Sequence, residues 1–137
     1  MDLQEAWNLS VEQLNYCYNP YSKFSVGAAL HSKDGTVYGG CNIENASYGG
    51  TVCAERTAFL KAVSEGTTDF SYIIIATETQ EPAPPCAFCL QVMAEFCDED
   101  FEIHLANRTG IIKSFRFDQL LPYPFSPKLL DAEKEKA

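Results

Sequence analysis

Pro85-Cys86-Ala87-Phe88-Cys89 sets two thiols three residues apart directly after a proline, and a third thiol, Cys53, stands two residues before a carboxylate, Glu55. Residues three apart share a helix face, so Cys86 and Cys89 can present two sulfurs together from one first turn. Thiolates are soft ligands that suit zinc. Structural zinc sites fill all four positions with protein groups, whereas catalytic sites keep one for water. Three sulfurs beside an acid that does not fit the ligand set describe the second kind. Zinc lowers the pKa of a water it binds towards ~7 and so provides a nucleophile at neutral pH. Glu55 would then shuttle protons, and aspartate would be one methylene too short for that reach. The plainer alternative makes Glu55 an ordinary first-turn helix acid. Three thiolates on one dication leave surplus negative charge, and Arg56 next door is the guanidinium placed to offset it by bonding sulfur. A surface arginine on a helix is the other reading of that residue.

The patterns around these residues suggest how they are held. Leu3, Trp7, Val11, Leu14 and Tyr18 recur at helical spacing, so residues 3–18 read as an amphipathic helix that Asn19-Pro20 ends. Phe24 to His31 and Thr36 to Glu44 read as two strands joined by a Lys33-Asp34-Gly35 turn. On the second strand Asn42 and Glu44 would share a face. Such a pair can read a diol, or it can be the solvated end of an edge strand. A helix is expected from Cys53 to a cap at Gly66, and Tyr72 to Ala76 as a central strand buried on both faces. A proline-rich loop over 77–85 leads to a second helix, from Cys86 to about Cys97. Strands over 101–106 and 111–117 follow, then a helical turn, a proline-rich loop and a charged tail. The expected architecture is a three-layer α/β/α sandwich around a mixed sheet of about five strands, with residues 1–137 as one domain.

Composition bounds the function. The 137 residues are 46% hydrophobic and 21% charged, enough for a core without disulfide staples. Cys17, Cys41 and Cys97 are therefore read as small buried hydrophobes. The net charge is -9, ten basic residues scattered among nineteen acidic ones, which argues against a nucleic-acid partner. The nearest basic cluster, Lys128 to Lys136, is interleaved with acids. No apolar run reaches the ~20 residues that cross a bilayer, and Met1-Asp2-Leu3-Gln4-Glu5 lacks the features of a signal peptide. A cytoplasmic protein is expected. His31 and His104 are the only histidines; neither stands at ligand spacing from a cysteine, and both are read as strand residues facing solvent.

Four blocks in this order carry a resemblance that spans nearly the whole chain: Pro20 to Leu30 (PYSKFSVGAAL), Gly40 to Tyr48 (GCNIENASY), Cys53 to Ala58 (CAERTA), and Pro85-Cys86 with Cys89 and Gln91. The ligand-x-Glu then P-C-x-x-C order is the known signature of zinc deaminases, and the chain resembles the cytidine deaminase family in its short, homotetrameric form. The resemblance implies hydrolytic deamination of cytidine and 2′-deoxycytidine with release of ammonia, one zinc per subunit on Cys53, Cys86 and Cys89, and Glu55 as the acid–base. It further implies that Asn42 and Glu44 hold the ribose, that Phe24 stacks near the pyrimidine, that Ala54 lends a backbone contact, and that Phe125 reaches a neighbouring subunit's site. Two positions depart from the family's C-G-x-C-R-Q: Ala87 replaces the glycine and Leu90 the arginine, while Phe88 puts a bulky ring inside the C-x-x-C. Rival readings are a deaminase of another aminopyrimidine such as blasticidin S, and a non-catalytic zinc-binding module. A deoxycytidylate deaminase would show a basic pocket, and none is visible.

Overall fold

The computed structural model describes residues 2–130; the charged tail expected beyond them lies outside the described residues. Its elements run α1 (Leu3–Glu12), β1 (Val26–Ser32), β2 (Val37–Cys41), α2 (Ala54–Ser64), β3 (Phe70–Thr77), α3 (Ala87–Phe96), β4 (Glu102–Asn107), β5 (Gly110–Arg116) and α4 (Phe117–Leu120). One five-stranded sheet has the order β2-β1-β3-β4-β5, with β3 and β4 parallel and the other neighbours antiparallel. This is the expected mixed sheet of five strands between helices. β3 is its centre.

The alternation of side chains along β3 decides what each face carries. Ile73 and Ile75 pack with Ala58, Phe59, Leu90 and Met93 from α2 and α3, whereas Ile74 and Ala76 pack with Ala6 and Leu14 beneath α1 and the turn that follows it. All three isoleucines are fully buried, which is why this strand reads as an unbroken apolar run. Phe59 anchors the first layer, its ring 5.0 Å from Phe70 in an edge-on pair. Truncating such a buried ring to alanine costs about 3–5 kcal/mol.

The first helix is shorter than its periodicity predicts. It closes at Glu12 and tightens into a 3-10 turn over Gln13–Tyr16. Tyr18 bridges to Ile43 instead of extending the helix. The line of α1 turned to the sheet is Ala6 and Ser10, both fully buried, while Trp7 lies half-buried and donates its indole N–H to the Asn107 carbonyl at 3.0 Å. Small residues let the helix lie close: a Cβ on Gly27 would come 2.1 Å from the Ser10 carbonyl oxygen. Gly40 does the same for α2, where a Cβ would meet the Ala54 carbonyl at 2.4 Å. α2 therefore opens hard against the end of β2.

β2, β3 and β4 all run towards the same edge, and the loops after β2 and β3 lead directly into α2 and α3. Both helix N-termini, with their unpaired N–H groups, are thus delivered to one place. His104 departs from the solvent-facing expectation. It is 8% exposed and bonds Ser114 Oγ through Nδ1 at 2.8 Å, because β5 and Tyr72 cover its face of β4. His31 is partly covered as well, stacked on Tyr72 with centroids 4.6 Å apart. No helix among the described residues is long and apolar enough to cross a membrane.

Candidate metal centre and active site

Cys53 and Cys86 are the residues immediately before the first turns of α2 and α3; both are extended, and their carbonyls accept the first helical N–H bonds, from Thr57 and Leu90. Cys89 lies one turn into α3. Cys86 Sγ is 3.7 Å from Cys53 Sγ and 3.3 Å from Cys89 Sγ. Tetrahedral zinc with Zn–S bonds of about 2.3 Å sets its sulfurs roughly 3.8 Å apart, so the triangle fits the ion. All three cysteines are free, their sulfurs well beyond the ~2.05 Å of a disulfide. Among the described residues no histidine, aspartate, glutamate or further cysteine joins the group. Cys53, Cys86 and Cys89 form a zinc site with no fourth protein ligand among the described residues.

The charge balance of the site is visible in its thiols. Cys53, with the Cys89 thiol facing it and the Arg56 guanidinium bonded to it, is brought down to about 5, while Cys89, facing Cys53 and buried, is pushed up. Arg56 is only partly exposed and turns its guanidinium to the sulfur: its Nη2 donates to Cys53 Sγ at 3.5 Å and to the Thr51 carbonyl at 3.2 Å. Glu55 is 4% exposed, and burial pushes its carboxyl up to about 7. An acid held so close to neutrality can carry protons in both directions.

Beside the sulfurs a cavity of about 280 Å³ opens at the sheet edge. Its lining includes Cys53, Ala54, Glu55 and Cys86 on one side and Phe24, Asn42 and Glu44 on the other; Ala83 and Pro84 from the loop before α3 form a further wall. A larger cavity of about 460 Å³ lies between the end of α3 and residues 121–129, but no metal-binding group of three lines it. Chemistry, not size, picks the site.

Asn42 and Glu44 come together by a route other than strand parity. β2 ends at Cys41, and Phe24 precedes β1. The Asn42 side chain then stands in for a strand neighbour, Oδ1 accepting from Val26 N–H at 3.0 Å and Nδ2 donating to the Phe24 carbonyl at 2.7 Å. Asn42 is buried, which removes the reading of a solvated strand end. Glu44 accepts from the backbone N–H of Tyr21 and Ser22 at 3.0 and 3.1 Å and from Ser22 Oγ, bonds that hold its carboxyl below the usual range. Both side chains thereby fix the loop that carries Phe24. Ser22, Ala83 and Pro84 were not singled out in the sequence; the proline-rich character of 82–85 was the one signal available for the wall. Phe125 stays outside this lining, 59% exposed, its carbonyl tied to Gln91 Nε2 at 2.7 Å.

The profile of the family described as cytidine and deoxycytidylate deaminase zinc-binding region matches residues 1–105, which contain all three zinc ligands. The chain belongs to that family. Within the deaminase family, it is 45% identical over 136 residues to the cytidine deaminase of Sporosarcina psychrophila, covering 99% of this chain and all of that protein. It is 48% identical over 126 residues to that of Halalkalibacterium halodurans, covering 92% and 96%. Its fold superposes on the crystal structure of cytidine deaminase from Burkholderia pseudomallei with a TM-score of 0.86 at 40% identity, over 91% of this chain and 100% of that one. The Mycobacterium tuberculosis cytidine deaminase gives 0.79 at 31% identity, over 92% and 98%. The chain is thus similar to the small zinc-dependent members of the family over nearly its whole length.

Proposed function

We propose that this chain hydrolyses cytidine and 2′-deoxycytidine to the corresponding uridines, releasing ammonia. The observation that carries the reading is a buried carboxyl, Glu55, lining the same cavity as two sulfurs of a three-thiol zinc site. Zinc held there would supply an activated water as nucleophile. Glu55 takes a proton from that water as the C4–O bond forms and gives one to ring nitrogen N3. As a carboxylate again, it takes the second proton from the new C4 hydroxyl and passes it to the amino group as the C4–N bond breaks, so that ammonia leaves, C4=O forms and the carboxylate is regenerated. Ala54, fully buried at the start of α2, offers its backbone to the base. Phe24 lies against the pyrimidine, and Asn42 and Glu44 face the sugar hydroxyls. Arg56 offsets the thiolate charge.

The lining holds no lysine or arginine, and the Glu44 carboxylate would repel a phosphate, so the substrate is an unphosphorylated nucleoside. We infer a homotetramer in which Phe125 completes a neighbour's site; its exposure, with that of Tyr123 on the same segment, supports a surface made to be covered. Zinc-loaded protein incubated separately with cytidine, 2′-deoxycytidine, deoxycytidylate and blasticidin S tests the assignment by ammonia release. Turnover of the two nucleosides alone is expected. Inertness towards cytidine would overturn it.

A further inference from the structure

We propose that Phe88 is a positioning residue for Arg56, its ring holding the guanidinium against the Cys53 sulfur. The inference rests on the zinc-site reading above and adds to it a residue that touches neither metal nor substrate.

Arg56 lies in the first turn of α2 and Phe88 in the first turn of α3, so their contact ties together the two helices that carry the sulfurs. Arg56 Cζ stands 5.9 Å from the centroid of the Phe88 ring, within the ~6 Å at which a ring face attracts a cation. The hydrogen bonds of the guanidinium leave it underdetermined. Nη2 makes both, to Cys53 Sγ and the Thr51 carbonyl, while the buried Nε finds no partner among the described residues. A planar group gripped through one nitrogen can still tilt, and a ring against it restricts that tilt.

Among the described residues no second cation lines the cavity. Position 90, next to Cys89, is a leucine packed in the core among α2 and α3 side chains, and the cavity lining has no basic residue. The placement of one guanidinium therefore governs how far the mutual repulsion of three thiolates is offset. Phe88 is 74% exposed, so burial in its own chain does not account for a large ring at this position.

The test uses the zinc-loaded, assembled protein challenged with a coloured chelator, reading the rate of zinc release alongside kcat and KM. Phe88→Ala and Phe88→Leu should each speed release by about two- to fivefold, the scale of one exposed cation–ring contact, and lower kcat more than they raise KM. Phe88→Trp, which keeps a cation-binding face, should match the native rate. In an Arg56→Gln background Phe88→Ala should add nothing. Native release rates in Phe88→Leu would overturn the proposal by showing that any apolar bulk suffices, and so would effects of Phe88→Ala and Arg56→Gln that multiply in the double variant. Should Phe88→Ala disturb assembly, the leucine and tryptophan variants, both bulky, decide between the same two outcomes. Failure of the underlying reading looks different: the native protein would then take up no stoichiometric zinc.

Discussion

Asn107 at the end of β4 donates through Nδ2 to the carbonyls of Thr79 and Gln80, 3.2 Å from each. Its Oδ1 meanwhile accepts from the backbone N–H and hydroxyl of Thr109 at 2.9 and 2.6 Å. One buried amide thus fastens the loop after β3 to the β4–β5 hairpin, and that loop supplies the Ala83 and Pro84 wall of the cavity and then Cys86. The ion pairs Arg108–Glu78 and Lys113–Glu81, both at 2.7 Å, run alongside but are exposed and contribute little.

Replacing Asn107 by alanine removes its hydrogen bonds to Thr79, Gln80 and Thr109, exposed residues whose freed groups water can reach, at a net cost of about 0.5–1.5 kcal/mol. Chemical denaturation should report that loss, and KM should rise as the wall loosens. Unaltered stability would mean that the loop is held by other means.

Glu55→Gln should retain one zinc per chain, because Glu55 is no ligand, and should lose turnover by about 10²- to 10⁴-fold, the range for a general acid–base group. Metal analysis and steady-state rates measured on the same preparation check both halves. Near-native turnover would remove Glu55 from the reaction.

If Phe125 acts across a subunit boundary, a site needs Glu55 from one chain and Phe125 from another. Phe125→Ala and Glu55→Gln proteins, each impaired alone, should regain activity when unfolded together and reassembled. A mixed preparation no more active than the mean of its parents would place Phe125 elsewhere.

His104 carries a pH dependence of stability. Burial lowers its pKa below the ordinary histidine value, more than the neighbouring Glu102 carboxylate, 3.2 Å away, raises it. A base whose folded pKa is depressed binds more protons unfolded than folded, so its contribution is complete above about pH 6.5 and is lost as the pH falls through the folded value. Urea midpoints measured from pH 7.5 down to 5 should fall more steeply for the native protein than for His104→Gln. Parallel curves would show that His104 does not titrate differently on folding.

Much of this was legible in the residues. Three cysteines, a glutamate and a proline at set spacings announced the metal centre, since coordination chemistry restricts residue type more strictly than packing does. The run of isoleucines announced the central strand. Trp7, Val11 and Leu14 of the expected α1 face do pack against the sheet, but its fully buried line is Ala6 and Ser10, small residues that a search for large apolar side chains passes over. Asn42 and Glu44 were paired through strand alternation, whereas side-chain hydrogen bonds to the 20–26 loop bring them to the cavity. The direction of Arg56 and the reach of Asn107 depend on contacts distant in sequence or on rotamers, and no local pattern encodes them.

X-ray absorption at the zinc edge of the metal-loaded protein tests the account most directly. Three sulfur scatterers at about 2.3 Å and a single light-atom scatterer are expected. Four sulfurs, a histidine in the shell, or fewer than three sulfurs would contradict it.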